Sequence, residues 1–258
     1  MNYVKYDMHC HTKEGSGDSK IPIKEYIFAL KEMGFGGMMV TDHDSYRGYE
    51  SLDYEDTRDF TVIESIEYDT DDFGHFLVIM PDGRIPQALK FRGMTLEKLE
   101  KLVHENGGIL GPAHPGGEPF LSFYTTGITK RKHWKKRYLM ELMDFIEGFN
   151  SCEDCHSNSR ALYLGKKFNK TMIAGSDSHH FDSLGLGFTY LPDDIKTNND
   201  LIRFLKKKPN LRIGGKIWGK TLKDKLGVWN KALVYGFFFY NKFETGVNVL
   251  KRGYNELF

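Results

Sequence analysis

A short apolar run leads directly into a polar cluster in Tyr3-Val4-Lys5-Tyr6-Asp7-Met8-His9-Cys10-His11-Thr12. His9 and His11 are two residues apart, and residues with that spacing on a β-strand point to the same face. Two imidazoles on one face can bind a single cation, because histidine is a common ligand of zinc and related metals. The stretch therefore predicts a strand that delivers two metal ligands at its carboxyl end.

The same alternation of apolar run and polar cluster recurs along the chain. Further runs lie at 37–40, 60–63, 108–111, 145–146 and 171–175. Segments with helical spacing lie between them, with apolar residues at 23, 27 and 30 after Pro22 and at 96, 99 and 103 after Thr95. Strand, polar cluster and helix in repeated order predict an α/β barrel, whose functional groups gather at the carboxyl ends of the strands.

One histidine departs from this order. His75 precedes its apolar run, Phe76-Leu77-Val78-Ile79-Met80, whereas the other histidines follow theirs. Either this strand runs against the others or His75 lies on a turn, so we expect an irregular barrel.

Composition restricts the classes of partner. The 258 residues carry 36 Lys and Arg against 35 Asp and Glu, and this net charge of +1 gives no general attraction to polyanions or membranes. No apolar run is long enough to span a bilayer, and residues 1–7 lack the features of a secretory signal. Three cysteines also suit a reducing compartment. We expect a cytoplasmic enzyme.

The polar clusters together resemble the motifs of the PHP (polymerase and histidinol phosphatase) family of metal-dependent phosphoesterases. The matching segments, in the order of the family, are Asp7-Met8-His9-Cys10-His11-Thr12, Thr41-Asp42-His43-Asp44, Ile66-Glu67, His75, Ala113-His114-Pro115, Ile146-Glu147-Gly148-Phe149-Asn150 and Gly175-Ser176-Asp177-Ser178-His179. The resemblance implies a distorted (β/α)7 TIM-like barrel that binds two or three divalent ions of zinc, manganese or iron. We expect the barrel to span 1–215, with a helical, aromatic extension over 216–258 that packs against it.

The resemblance also implies the metal ligands. One ion would be bound by His9, His11, Glu67 and Asp177, and a second by Glu67, His75 and His114. A third would be bound by His43 and His179. The family adds a ligand soon after its first motif, for which Asp18 is the better candidate and Glu14 the alternative.

Two carboxylates compete for the position between the first two ions. Glu64 and Glu67 are three residues apart and face opposite sides of a strand. Glu67 follows an isoleucine, as the family pattern requires, so Glu64 is expected either to have a structural role or to support the ligands from behind. Asp42 and Glu147 are expected to orient histidines, because a metal-bound imidazole usually donates its other N–H to a carboxylate or carbonyl.

The expected function is hydrolysis of a phosphomonoester of a small metabolite or nucleotide by a hydroxide that bridges two metal ions. His179, His180 and Asp42 are candidates to protonate the leaving oxygen. Lys13, Arg47 and Arg160 lie next to the motifs and are candidates to bind the phosphate. The alternatives are a phosphodiesterase or exonuclease, a non-phosphate hydrolase, and a metal-stabilised module without turnover.

Two other patterns have weaker interpretations. Cys152-Glu153-Asp154-Cys155-His156 spells a haem-attachment motif, but no other haem feature accompanies it, and a structural role is expected.

The basic segment at 130–137 is expected to be a solvated helix face. Its alternative role is to guide a phosphate-bearing or nucleic-acid substrate, with Trp134 available for stacking. A membrane partner is not expected, and the sequence leaves the oligomeric state open.

Overall fold

The computed structural model describes residues 2–118, 121–125 and 133–219, together with residues 236, 239, 240, 243 and 247. Nine strands lie in the described chain. They are β1 (Tyr3–Cys10), β2 (Phe35–Val40), β3 (Thr61–Thr70), β4 (Gly74–Ile79), β5 (Ile109–Pro112), β6 (Phe145–Asn150), β7 (Thr171–Gly175), β8 (Gly187–Pro192) and β9 (Ile213–Gly215). A seven-stranded sheet has the order β5-β4-β3-β2-β1-β8-β9, and β6 and β7 form a second, two-stranded sheet.

Seven α-helices accompany the strands in the described ranges up to residue 219. They are α1 (Ile23–Glu32), α2 (Arg47–Glu50), α3 (Tyr54–Thr57), α4 (Leu96–Glu105), α5 (His133–Leu142), α6 (Cys155–Lys167) and α7 (Asn198–Leu205). The apolar spacing located α1 and α4 correctly, since their buried residues repeat at intervals of three and four. Thr95 occupies the position before α4 without a side-chain capping bond, and Asp72 accepts the Leu96 N–H instead.

The large sheet mixes parallel and antiparallel pairs. Strands β1, β2 and β3 are parallel neighbours, whereas β4 is antiparallel to both β3 and β5. An antiparallel strand begins at the edge where its neighbours end. His75, the second residue of β4, therefore lies at the same edge as the carboxyl ends of β1 and β3, which confirms the first of the two alternatives for this strand.

The α/β sheet curls into a half-barrel and does not close into the predicted (β/α)7 barrel. Strand β8 pairs antiparallel with the amino-terminal half of β1, at Tyr3 to Tyr6, and so occupies the edge of β1 that β7 would take in a regular barrel. Beyond that pairing, the segment that follows β7 meets the end of β1 through a parallel bridge between Cys10 and Ser178. The two sheets approach each other there, at the carboxyl ends.

Packing of these layers buries three apolar clusters, one of which lies between the strands and α7. That cluster includes Met8, Leu77, Phe145 and Leu201, all fully buried. A close-packed interior of this kind holds strand ends at fixed separations, so side chains carried there have little freedom to move apart.

The sequence beyond the strands is only partly described. Lys216 donates its N–H to the Leu186 carbonyl and Trp218 donates its N–H to the Ser151 carbonyl, so the chain just after β9 contacts the residues next to β8 and β6. Most of the expected extension at 216–258 lies outside the described residues, and the boundary at 215 stays a prediction.

Of the basic segment at 130–137, only residue 137 has a described side chain. No helix of the described residues is long and apolar enough to cross a bilayer.

Candidate metal centre

Eight of the nine side chains expected to bind metal lie at or just beyond one edge of the strands. His9 is on β1, with His11 one residue past its end, Glu67 is on β3 and His75 begins β4. His43, His114, Asp177 and His179 follow the ends of β2, β5 and β7. Asp177 has φ 53° and His114 has φ 27°, left-handed values that non-glycine residues adopt rarely. These turns redirect the chain at the strand ends and set the directions of both side chains.

The first cluster consists of His9, His11, Glu67 and Asp177. His11 Nε2 lies 3.1 Å from His9 Nε2, 3.2 Å from Glu67 Oε2 and 3.1 Å from Asp177 Oδ1. Ligand atoms that share one zinc-like ion at about 2.1 Å lie about 3–3.5 Å from one another. The four donor atoms therefore have the spacing of a shared ion, and they are the four residues expected to bind the first metal.

The second cluster surrounds the other side of Glu67. Its members are His43, Glu67 and His75, whose ligand atoms lie within 4.8 Å of one another. His75 Nδ1 is 3.0 Å from Glu67 Oε1, and His114 Nε2 is 2.8 Å from the same oxygen. The structure therefore brings Glu67 between the first cluster and the histidines expected for a second ion, and it adds His43 to that group.

The third cluster contains His11, His43 and His179. Asp18 Oδ2 lies 3.5 Å from His43 Nε2 and 3.3 Å from His179 Nε2, which places the expected extra carboxylate at this cluster. Glu14, the alternative, is directed elsewhere, since its carboxylate accepts the N–H of Ile23 at the start of α1. The side chains of Asp18, His43 and His179 are 55, 24 and 22% exposed, so the centre opens to solvent on this side.

Two buried atoms in the centre have no hydrogen-bond partner. They are Glu67 Oε2 and His75 Nε2, within the part of the chain that the structure describes. A buried polar atom without a partner costs about 1–3 kcal/mol, and a buried carboxylate costs more. A divalent cation would satisfy Glu67 Oε2, and the nitrogen and carboxylate donors match zinc, manganese and iron. His75 Nε2 lies on the other side of its ring, 3.8 Å from Asp69 Oδ1. The residues present therefore fit the metals that the motifs imply.

The electrostatics of the centre favour positive charge at its middle. Burial opposes ionisation of Glu67, but the surrounding histidines, His75 foremost, hold its pKa well below the usual range. Burial likewise opposes protonation of His11, and yet Asp177 and Glu67 raise the pKa of that imidazole to about 10. The site thus stabilises positive charge where the imidazole and carboxylate donors converge, and a metal cation supplies such charge.

Residues behind the ligands fix their orientation. Glu147 lies 3.0 Å from His9 Nδ1 and accepts the backbone N–H of His114 at 2.6 Å. Asp42 accepts bonds from the Thr12 N–H, the Thr12 hydroxyl and the Ser16 hydroxyl, and Ser16 Oγ is 3.2 Å from His11 Nδ1. Asp42 is fully buried with both oxygens engaged, a geometry that favours its orienting role over proton donation.

The remaining predicted residues lie outside the three clusters. Glu64 is on the same strand as Glu67, half-buried, and its backbone bonds to the side chain of Asn198, away from the histidines. Lys13 and Arg47 are exposed. Arg160 lies on α6 with its Cβ near Gly116. His180 follows His179 and packs beside Trp218, with 5.8 Å between ring centroids.

Sequence reasoning missed several residues of the centre. Asn150 donates from Nδ2 to Glu147 Oε2 at 3.2 Å and to Asp177 Oδ2 at 3.1 Å, so it connects two carboxylates across the gap between strands. Its position in the family motif was the available signal. Ser122 Oγ lies 3.1 Å from His114 Nδ1, and Arg92 contacts Asp44 and Asp69. Neither Ser122 nor Arg92 lies in a motif, and only tertiary structure brings them to the centre.

Comparison with known proteins gives one family match. Residues 156–208 match the PHP-associated family model PHP_C, a segment that covers most of α6 and all of β7, with Asp177 and His179. No curated protein sequence matches the chain.

Solved structures share the fold at low sequence identity. A two-domain protein from Bacteroides vulgatus that contains a predicted PHP-like metal-dependent phosphoesterase is 16% identical, with a TM-score of 0.60 over 83% of this chain and 65% of that one. An amidohydrolase from Chromobacterium violaceum with bound sulfate and no metal is 13% identical, with a TM-score of 0.58 over 78% and 96%. The lesion-specific endonuclease PfuEndoQ from Pyrococcus furiosus is 17% identical, with a TM-score of 0.54 over 82% and 58%.

The chain spans less than two thirds of the length of the first and third of these proteins. At these identities the likeness establishes the fold alone. The PHP-associated match and the shared fold together support a PHP-family protein, as the motifs predicted.

Proposed function

We propose that the chain is a metal-dependent phosphoesterase that releases phosphate from a small phosphomonoester. One observation carries the proposal: Glu67 Oε2 is buried without a hydrogen-bond partner among the described residues, and nitrogen atoms of His9, His11 and His43 lie 3.2–3.3 Å from it. A carboxylate oxygen without a hydrogen-bond partner and three imidazole nitrogens are electron-pair donors, and together they form a site for a cation.

The ligand groups follow from the clusters. His9, His11, Glu67 and Asp177 would bind one divalent ion, and Glu67, His75 and His114 a second, with His43 beside it. His43, His179 and Asp18 would bind a third. Bound divalent ions supply Lewis acidity to phosphoryl oxygens and lower the pKa of water.

The side chains would exclude water from the centre and protonate the leaving oxygen. The buried first cluster excludes bulk water from the imidazoles of His9 and His11, which strengthens every charge interaction there. Asp42 is engaged by Thr12 and Ser16, and His179 belongs to the third cluster. We therefore assign protonation of the leaving oxygen to His180, which directly follows His179 and is partly exposed.

The accessible side of the centre favours a terminal phosphate. His9, His11 and Glu67 are buried, so a phosphate must approach past Asp18, His43 and His179. The phosphate at the end of a monoester can enter such an opening without the rest of the molecule following. Lys13, which is exposed and lies just after the first motif, is the candidate to attract it.

A nuclease is the second candidate. The chain shares its fold with a lesion-specific endonuclease, and the basic segment at 130–137 could guide a polyanion. A non-phosphate hydrolase is a third, since the same donors could activate water against an amide.

A substrate screen on the metal-replete protein separates these functions. We expect divalent-metal-dependent phosphate release from p-nitrophenyl phosphate and faster release from some sugar, amino-alcohol or nucleotide monophosphate. Cleavage of oligonucleotides or diesters with every monoester left intact would replace this proposal with the nuclease. If charge reversal at Lys130 and Arg131 also weakens oligonucleotide binding and reduces its salt dependence, the basic segment contributes to that binding.

A further inference from the structure

A largely enclosed arginine lies behind the second cluster. Arg92 is 11% exposed and contacts two carboxylates, with its Nη2 on Asp69 Oδ2 and its Nε 3.3 Å from Asp44 Oδ2. Removing one partner from a buried ionic group is costly, because the remaining charges lose their compensation. The three side chains therefore act as one unit.

Both carboxylates of this unit adjoin the candidate ligands. Asp69 Oδ1 lies 3.8 Å from Nε2 of His75, the buried nitrogen that has no hydrogen-bond partner among the described residues. Asp44 directly follows His43, has φ 49°, and donates its N–H to the Glu67 carbonyl. Asp44 Oδ1 also accepts the Asp69 N–H at 3.0 Å, so the unit connects the turn after β2 to the end of β3.

The arginine itself is presented from a fixed segment. Tyr68 donates its hydroxyl to the Phe91 carbonyl at 2.6 Å, and the Gly93 N–H donates to the Asp69 carbonyl at 3.0 Å. These two hydrogen bonds hold Phe91 and Gly93, the neighbours of Arg92, against β3. The guanidinium is therefore held in place independently of the metal ligands.

We infer that Arg92 is a positioning residue for the Glu67–His75 side of the centre, acting through Asp69 on His75 and through Asp44 on His43. A fixed carboxylate near the second nitrogen of an imidazole sets the direction of the ring, and loss of such a partner typically costs 10–100-fold in metal affinity. The first cluster has its own support from Glu147 and Asn150. Loss of Arg92 should therefore weaken one class of metal site and spare the other.

The inference rests on the proposed metal centre but not on turnover. Metal-stripped wild type and Arg92→Met are titrated calorimetrically with MnCl2, and the visible absorption of the Co²⁺ forms reports the ligand geometry. We expect at least two classes of site in the wild type. In Arg92→Met, one class should weaken tenfold or more with an altered cobalt spectrum, while the other keeps its affinity. Arg92→Lys keeps the charge but loses the planar guanidinium, so its affinity at the weakened class of site should lie between those of wild type and Arg92→Met.

Matched variants separate positioning from general stability. Arg58→Gln removes an exposed arginine that also pairs with two carboxylates, Glu55 and Asp59, and should leave every site unchanged. Asp69→Asn should also weaken metal binding at one class of site only. If Arg92→Met does not fold, Asp69→Asn and Arg92→Lys together test the inference.

Three results would overturn the inference: unchanged or tighter binding at all sites, equal weakening of all sites, or a wild type that takes up neither ion. The last result would remove the proposed function as well. A wild type that binds metal but cleaves no ester removes only the proposed function.

Discussion

Glu147 Oε1 lies 3.0 Å from Nδ1 of His9, and both side chains are completely buried. This contact turns the other nitrogen, Nε2, toward Glu67 and Asp177, at 3.3 and 3.5 Å. Strand β6 thereby determines the orientation of a ligand on β1, although the two strands do not pair. A carboxylate behind a histidine also raises the basicity of the nitrogen that faces the metal.

Glu147→Gln should therefore weaken metal binding at the first cluster by about 10–100-fold while the protein stays folded. The amide can still accept one hydrogen bond, but it loses the negative charge. Competition with a chelator of known affinity measures the change. Glu141→Gln, at an exposed glutamate on α5 that pairs with Arg137, is the matched control. Equal affinities in both variants would show that the His9 contact is not important for binding.

Glu67 and Glu64 offer an internal comparison on one strand. Glu67→Gln should lower the bound metal by about one equivalent or more and remove most hydrolytic activity, because Glu67 contacts both the first and the second cluster. Glu64→Gln should change both quantities little, since its side chain lies outside the clusters. Elemental analysis and phosphate release check the pair, and the reverse ranking would assign the central carboxylate to Glu64.

Metal content is itself a test. The protein reloaded with manganese, zinc or iron should contain at least two divalent ions per chain, and chelation should abolish activity. Because the ions bind only the folded state, free metal at about 100 times its dissociation constant should stabilise the fold by about 2.7 kcal/mol per site. Denaturant unfolding with and without metal measures this difference. Less than one equivalent per chain would contradict the proposed centre.

The pH dependence of stability should differ between wild type and Glu64→Gln. Burial, with added repulsion from Glu50 and Asp82, raises the pKa of Glu64 from an ordinary value of 4.5 to about 7. The folded state thus binds this proton more tightly than the unfolded state does. The resulting stabilisation is complete below about pH 4.5 and is lost as the pH rises toward 7.

Glu64→Gln carries no such proton, so its stability relative to wild type should increase between pH 5 and pH 8. Urea unfolding at both pH values measures the change. A constant difference between the two proteins would mean that Glu64 titrates normally.

The local sequence determined the ligand types and most of the element order. The spacing of two at His9 and His11 required only the alternation of a strand, and the periodicity at Ile23, Ile27 and Leu30 required only a helix. These patterns are local, so they hold before the chain folds. The α/β class could therefore be predicted from these patterns, whereas the set of candidate metal ligands was implied by the resemblance to the PHP motifs.

Tertiary structure decided what depends on contacts between distant segments. Insertion of β8 beside β1 opened the predicted barrel into a half-barrel, because pairing partners are chosen by global packing. The assignment of Glu14 to the start of α1 and of Asp18 to the third cluster depended on how one short loop folds across the strand ends. Arg92 and Ser122 belong to no motif, and their relation to His75 and His114 exists only because the folded chain places them there. The sequence specifies the donors, whereas packing of the strand ends specifies which donors share an ion.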